Sequence, residues 1–342
     1  MSHNRAAKQT LPLLERKRAY EQVLRMCPSD PKLYAEIGSF LIANRQFSSA
    51  LKWVDEGLKV APADPDLMLQ SGAALLSLGR AEEALAVLQK VPPTGKSQFY
   101  KAMAYGHLRN HVAARDALSS AWQLGYDDPY VLYSLIEEDH ELGDKLAGMQ
   151  HFQLLLQRFP NSAWMHLLLG EAYSVKGHDD DARREYRQAA KIDPNLLEAH
   201  YRLGYLAFKV GDDKQAATEF DKELDLNPNF ADAHLFLGET LLRLGRTQEA
   251  LKHLQKAVDL DRSSNLAYHR LAAVLTQTHQ LSEAAETLRR GEKRFPDDPM
   301  FPAQLAAVLR RLDRTGEASQ AAQRARELFA RQHKQQSIKE IQ

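Results

Sequence analysis

Apolar side chains recur along this chain at helical spacing, and small residues recur among them every 34 positions. In one stretch, Leu169, Tyr173 and Tyr186 are placed to fill the space around a close contact between two helices. Small residues mark where those helices cross, because a short side chain lets two backbones approach closely. The pattern predicts helices almost throughout and no strands. Three columns carry the period: Gly170, Gly204 and Gly238; Gly177, Gly211 and Gly245; and Ala182, Ala216 and Ala250.

The same period extends beyond these columns in both directions. Forward it reaches Ala306, and backward it reaches Ala102. The preceding small residue, Gly72, lies only 30 positions before Ala102. The paired prolines of "VPPTG" at 91–95 account for the difference, because proline ends a helix and one helical turn is missing there.

This count predicts nine repeats over residues 31–332. A half-repeat over 1–30 precedes them, and a polar tail over 333–342 follows. Prolines between the helical segments deny each helix its next backbone donor and start a turn. Turns are therefore predicted near residues 62, 93, 160, 194, 228 and 296.

These anchors resemble the tetratricopeptide repeat family, whose unit is a pair of antiparallel helices of about 34 residues with small residues at these places. The resemblance implies an all-α fold, a right-handed superhelical solenoid of antiparallel helix pairs. No unit of such an array buries its apolar stripe alone, so neighbouring units stack. The resemblance also implies a concave inner face built from the first helix of each repeat.

Composition narrows the classes of function. Lysine plus arginine equals aspartate plus glutamate at 45 each, so no overall field favours nucleic acid or an anionic membrane. The longest apolar runs are far too short to span a bilayer, and the N-terminal sequence has no apolar secretion signal. As written, the chain is expected in the cytoplasm, or in the periplasm if an upstream signal has been removed. One cysteine, Cys27, excludes a disulfide framework and a cysteine-based zinc site.

The segment "SLIEEDHELGDK", residues 134–145, concentrates acids around His140 and looks like half of a zinc-protease helix. Such a helix needs a second histidine four positions on, but Asp144 stands there, beyond Gly143, where the helix should have turned. By register, Asp139 takes a slot that holds a tyrosine in both neighbouring repeats. We expect a solvated acidic helix end that reaches into the groove. The alternative is that Asp139 loosens this repeat or accepts a basic partner.

A column of histidines, His166, His200 and His234, also repeats every 34 positions. Equivalent side chains in neighbouring repeats lie on the order of 10 Å apart, whereas zinc ligands lie about 2 Å from one centre. The column is interpreted as a structural slot for large flat side chains. No glycine-rich phosphate loop or nucleophile elbow occurs in the sequence. We therefore predict no catalysis, no metal site and no cofactor.

The middle positions of the first helices should line the concave face, and several of them hold aromatic residues. The core-facing slots are filled by other residues, so these aromatics favour a partner-binding groove, with packing between first helices as the alternative. A concave aromatic surface with a few charges suits an extended peptide or a partner helix. The predicted partner-binding residues are Phe99, Met103, Tyr133, Glu137, Leu167, Glu171, Tyr201, Tyr205, Phe208, Lys209, Arg243 and His269.

Charge along the first helices predicts a direction for the groove. Acids cluster around Glu137, whereas basic residues occupy the ends of later first helices. A partner with a complementary gradient would be oriented by this arrangement. Ordinary solvated helix ends are the alternative. The basic residues are Lys209, Arg243, Arg310 and Arg311.

Together these observations predict a non-catalytic scaffold that binds a peptide or helical segment of a protein partner in its concave groove. Two alternatives stay open. The chain could be a subunit of an envelope, secretion or pilus assembly, or the regulatory arm of a larger enzyme such as a glycosyltransferase. Neither nucleic-acid binding nor direct membrane insertion is expected.

Overall fold

The computed structural model describes residues 20, 22, 27 and 29–341, with side chains described up to His333. Within this part the chain is helical almost throughout and contains no strand. The prediction of an all-α fold built from antiparallel helix pairs is therefore confirmed. The half-repeat predicted over residues 1–30 lies largely outside the described residues.

Eighteen helices form nine consecutive pairs between Pro31 and Ile341, a span that the structure describes in full. The turns predicted from proline all fall in the loops between these helices. The last helix continues through most of the predicted polar tail. The helices are α1 (Pro31–Ala43), α2 (Phe47–Val60), α3 (Pro65–Ser77), α4 (Ala81–Leu88), α5 (Gly95–His107), α6 (His111–Gln123), α7 (Pro129–Glu141), α8 (Lys145–Arg158), α9 (Ala163–Val175), α10 (Asp179–Ile192), α11 (Ala199–Val210), α12 (Asp213–Leu226), α13 (Ala231–Arg243), α14 (Thr247–Leu260), α15 (Asn265–Gln277), α16 (Leu281–Arg294), α17 (Met300–Arg311) and α18 (Thr315–Ile341).

Packing divides the chain into two units, Met1–Met165 and His166–Gln342, and the boundary falls inside α9. In the first unit, Val54 and Leu75 belong to a continuous apolar cluster between the helices. In the second unit, Leu254 lies in a cluster that extends over the last repeats. Each core is therefore shared by neighbouring helix pairs, since no single pair could remove its apolar side chains from water.

Aspartate–proline pairs begin several first helices. The Asp64 side chain accepts the N–H groups of the second and third residues of α3, each at 3.0 Å. Pro65 occupies the first helical position, where no N–H group is needed. The same pairs begin α1 at Asp30 and α7 at Asp128.

The shortened repeat predicted around "VPPTG" is present. Helix α4 has only eight residues and ends before the two prolines. The next helix starts at a capping box, in which Thr94 Oγ1 accepts the Ser97 N–H at 3.1 Å and Ser97 Oγ accepts the Thr94 N–H at 2.8 Å. The chain therefore loses one helical turn and regains its register at α5.

The column Gly170, Gly204 and Gly238 marks the crossings between paired helices, whereas Gly177, Gly211 and Gly245 lie in the turns with positive φ. A Cβ atom at Gly170 would lie 2.5 Å from the Tyr186 ring, and one at Gly204 would lie 2.8 Å from the Phe220 ring. Both distances are shorter than non-bonded carbon atoms tolerate. A ring of the second helix thus fills the space that a side chain on the first helix would need.

Adding a methyl group at such a crossing should destabilise the protein. Because the Phe220 ring is wholly buried and cannot retreat, Gly204→Ala should lower the free energy of unfolding by about 1–3 kcal/mol. Denaturant unfolding followed by circular dichroism measures the change. The matched control is Gly316→Ala in α18, where an added Cβ meets no atom within 4 Å. That variant should be neutral or gain up to about 1 kcal/mol from helix propensity, and equal losses at both sites would contradict this account.

Candidate functional site

Three of the predicted partner-binding residues are buried. The exposed fractions are 8% for Phe99, 3% for Tyr133 and 1% for Leu167. In the first unit, Phe99 packs against two tyrosine rings, and Tyr133 packs against Trp164 with ring centroids 4.6 Å apart. These aromatics pack between neighbouring helices, so the expectation that they face a partner is corrected.

The other two candidates of the first unit lie nearer the surface. Met103 is half-buried against the apolar cluster of that unit, and Glu137 is exposed. Because Phe99 and Tyr133 are buried, neither adds exposed aromatic surface beside Met103 and Glu137.

The second unit presents a patch of four aromatic residues on the first helices α11 and α13. Tyr205 is 37% exposed, and its ring stands edge-on to Phe236 with centroids 5.1 Å apart. Phe236 also lies 5.6 Å from Phe208 and 6.2 Å from Tyr201. We call these four residues the aromatic patch. The sequence interpretation missed Phe236, although its distance of 31 positions from Tyr205 is a spacing that recurs between first helices.

Within the aromatic patch, Tyr201 is more buried than Tyr205. It is half-buried, and its ring contacts Phe230 at 4.9 Å and Phe220 at 6.0 Å. Burial raises the pKa of the Tyr201 hydroxyl, which stays neutral at physiological pH. Tyr205 therefore provides most of the accessible aromatic surface, and Tyr201 fixes its surroundings.

A carboxylate from the second helix fixes the start of α11. The residue before this helix, Glu198, has a left-handed backbone with φ of 71° and gives no side-chain cap. Instead, the fully buried Glu223 accepts the N–H of Glu198 at 3.0 Å and the N–H of Tyr201 at 3.2 Å. Burial raises the Glu223 pKa, and these two N–H donors oppose the rise. Glu223 thus positions the helix turn that carries Tyr201.

An ion pair lies on each side of the aromatic patch along the first helices. Glu171 Oε1 is 2.8 Å from Arg202 Nη2, and Glu239 Oε1 is 2.7 Å from Arg270 Nε. Burial raises the pKa of Glu171, and the Arg202 charge counteracts that effect. The predicted acid at Glu171 therefore belongs to a pair.

The basic residues predicted to line the groove are also paired within the second unit. Lys209 Nζ lies 2.9 Å from Asp179, and Arg243 Nη2 lies 2.6 Å from Asp213. The Arg243 guanidinium also stands over the Phe208 ring, 4.4 Å from its centre. These acids offset both basic charges, and the role of Lys209 and Arg243 in binding a partner stays a prediction.

His269 contacts residues of the next repeat. Its Nδ1 lies 2.9 Å from Gln304 Oε1, its Nε2 lies 3.1 Å from Asp298 Oδ2, and its ring stacks on Phe301 at 3.9 Å. Both ring nitrogens are engaged. His269 therefore acts as a packing and tethering residue in this arrangement.

The histidine column pairs with the second helix of each repeat. His166 Nδ1 is 2.7 Å from Glu185, and His200 Nδ1 is 2.7 Å from Glu219. In the next repeat, His234 Nδ1 instead meets His253 Nδ1 at 2.9 Å. Each histidine contacts a residue 19 positions later, which agrees with a structural slot rather than a shared metal centre.

The acidic segment that resembled a zinc-protease helix places one buried carboxylate in a network with side chains of two other helices. Asp139 is wholly buried, and its Oδ2 lies 2.6 Å from His151 Nδ1. Arg115 Nη1 lies 3.7 Å from Asp139 Oδ1 and 3.4 Å from Asp144 Oδ2. The expectation of a solvated end is wrong for Asp139. The basic partners it accepts are residues of this chain.

The part of the chain that the structure describes lacks two features. It holds no group of three or more histidine, cysteine, aspartate or glutamate side chains arranged to bind a metal ion. None of the helices in the described ranges combines the length and apolar character needed to cross a membrane.

Nine consecutive helix pairs, with an aromatic patch on two first helices of the second unit, define an α-helical repeat protein. Models of the tetratricopeptide repeat match residues 41–105, 170–211, 201–265 and 241–308. Together these matches cover more than half of the chain, which belongs to the tetratricopeptide repeat family. The matched models describe repeats and not enzymes. No curated protein matches the chain.

Two solved structures with TM-scores above 0.5 show the same fold at low sequence identity. The Cut9–Hcn1 hetero-tetramer of the APC/C matches with a TM-score of 0.60 and 16% identity over 86% of this chain and 59% of that chain. A monomeric mutant of IFIT1 with m7Gppp-AAAA matches with a TM-score of 0.55 and 17% identity over 92% of this chain and 77% of that chain. MamA from Desulfovibrio magneticus RS-1 matches with a TM-score of 0.46 and 25% identity over 50% of this chain and 96% of that chain.

Removing the buried carboxylate should destabilise the first unit. Asp139→Ala leaves a cavity and removes the carboxylate that Arg115 and His151 face, so we expect a loss of about 3 kcal/mol in the free energy of unfolding. The matched control is Glu141→Ala, at an exposed acid of the same helix, which should change stability by less than about 0.5 kcal/mol. Urea unfolding of both variants tests the difference. Equal stabilities would show that the network contributes nothing.

The histidine pair should make the second unit sensitive to acid. His234 Nε2 faces the Pro228 carbonyl at 3.1 Å, so it carries a proton, and Nδ1 must accept from His253. Burial lowers the pKa of both rings. The unfolded chain therefore binds protons more readily, and stability present above about pH 6.5 is lost as the pH falls.

Replacing His253 with glutamate, which pairs with the column histidine in the two preceding repeats, should remove that sensitivity to acid. In His253→Glu, a protonated His234 could donate to both the carboxylate and the Pro228 carbonyl, as imidazolium does at paired sites. The variant should lose less thermal stability than the parent protein between about pH 7.5 and pH 5.5. Parallel losses in the two proteins would contradict the assignment.

Proposed function

We propose that this chain is a non-catalytic interaction scaffold that binds a segment of a protein partner at the aromatic patch of its second unit. The observation that carries the proposal is the Tyr205–Phe236 contact. It leaves Tyr205 37% exposed on a face where the neighbouring first-helix contacts are ion pairs.

Several properties of the aromatic patch support binding. Tyrosine and phenylalanine supply large contact areas with few rotatable bonds, so ordering them on binding costs little entropy. Glu223 fixes the helix turn beneath Tyr201, and Arg243 covers the outer side of Phe208. The surface is therefore organised before a partner arrives, which favours affinity.

The partner-binding set becomes smaller than the sequence indicated. We propose Tyr205 and Phe236 as contact residues, Tyr201 and Phe208 as their support, and the flanking ion pairs as the rim. Phe99, Tyr133, Leu167 and His269 have structural roles in their repeats.

Truncating Tyr205 should reduce partner binding without unfolding the protein. Peptides selected from a displayed random library on the parent chain provide the ligands, and fluorescence polarisation measures their affinity. Tyr205→Ala should weaken them by about 1–3 kcal/mol, because an aromatic contact residue is lost. Its thermal midpoint should change little, since the side chain is partly exposed.

The matched control is Phe329→Ala, which removes an aromatic ring of similar exposure, 39%, from α18 of the same unit. This variant should bind the selected peptides as the parent chain does. Equal affinity of the Tyr205 variant and the parent for every selected peptide would refute the proposal.

A further inference from the structure

One contact recurs between consecutive first helices of the second unit, always across 31 positions. It is made by Glu171 with Arg202, by Tyr205 with Phe236, and by Glu239 with Arg270. We call these three contacts the first, second and third steps. A segment lying across these helices would meet an ion pair, an aromatic pair and an ion pair in that order.

The two ion-pair steps differ in charge. At the first step, Arg202 is shared between Glu171 and Glu198, whose Oε2 lies 2.9 Å from Nη2. Two carboxylates therefore face one guanidinium. Asp232 adds a further negative charge, because its electrostatic contacts include both Glu198 and Arg202. The first step is acidic on balance and suits a basic side chain.

The third step presents mainly its base. The Arg270 side chain is 50% exposed, whereas that of Glu239 is 14% exposed. An incoming group therefore meets the guanidinium before the carboxylate. Guanidinium binds carboxylates with directed, charge-assisted hydrogen bonds, so this step suits an acidic side chain.

The spacing of the steps selects a backbone conformation. Packed helices lie about 8–10 Å apart, so successive steps recur at about that distance. A polyproline II segment has three residues per turn and rises about 3.1 Å per residue, which brings every third side chain to the same face after about 9 Å. A β-strand presents every second side chain, after only about 6.6 Å.

We infer that the partner of this site is an extended, polyproline II-like segment with one apolar residue at its centre. A basic residue lies three positions to one side and seats at the first step. An acidic residue lies three positions to the other side and seats at the third step. This inference rests on the proposed function, because the central residue occupies the surface of Tyr205 and Phe236.

Designed peptides test the pattern directly on the full chain. The probes are fluorescein-labelled Arg-Pro-Pro-Leu-Pro-Pro-Glu and its reverse, Glu-Pro-Pro-Leu-Pro-Pro-Arg, which present the charge order in the two chain directions. At least one should bind saturably, and about tenfold more tightly than Arg-Pro-Leu-Pro-Glu, whose charges cannot reach both outer steps while leucine holds the centre. A helical probe with the same residues seven positions apart should bind less well, since its side chains require a different backbone path.

Reversing the charge at the third step should change which probe binds better, and a purely structural role of Arg270 would not produce that change. Arg270→Glu should weaken the better acidic-ended probe about three- to fivefold, the range expected of partly exposed charge pairs. It should strengthen a probe with arginine at both ends by a similar factor. Unchanged preference between these two probes would overturn the assignment of the third step.

Tyr205→Ala distinguishes a failure of this inference from a failure of the proposed function. If it abolishes probe binding and the spacing and charge rules hold, both the proposed function and this inference stand. If library-selected peptides depend on Tyr205 but ignore spacing and charge, the inference fails and the proposed function survives. If no probe binds the parent chain, or the helical probe binds best, the inference is overturned. Binding that is indifferent to Tyr205 overturns both.

Discussion

Two helices of a repeat approach closely only where one of them carries almost no side chain, and the rest of the structure depends on that contact. At Gly170 and Gly204, a ring from the second helix fills the volume that a Cβ atom would need. The ring then touches both helices and fixes how they cross. Because this contact returns with the repeat period, every pair offers its neighbours a similar set of faces, and the pairs stack.

Stacking in this register decides which side chains of the first helix reach solvent. The middle slot points between neighbouring helices, where Phe99, Tyr133 and Leu167 are buried. One turn later, Tyr205 remains 37% exposed. An aromatic residue at the middle slot therefore packs between helices, whereas one at the next slot is partly exposed and accessible to another molecule.

The fold could be predicted from the sequence because its determinants are local and periodic. Glycine and alanine columns, proline turns and the four-residue slip before Ala102 specify the helices and their pairing. Much of the site could not be predicted, because it depends on contacts between distant residues. Glu223 caps a helix that starts 24 positions before it in the chain, and Asp139 faces basic side chains from two other helices. Neither contact follows from spacing within one helix.

The proposed binding would account for the aromatic contact between Tyr205 and Phe236, because the equivalent contacts on either side are not aromatic. At the equivalent contacts on either side, the repeats are joined by Glu171–Arg202 and Glu239–Arg270. Partly exposed ion pairs contribute only up to about 1 kcal/mol each, yet the array is continuous through both. An ion pair at the middle contact would therefore also join the helices, and it would leave no apolar ring in water. Keeping Tyr205 exposed forgoes the favourable burial of its ring, on the order of 25 cal/mol per Å² of apolar surface. In the proposed complex, a partner that covers the ring would recover that energy, and the two flanking ion pairs would select the segment that fits.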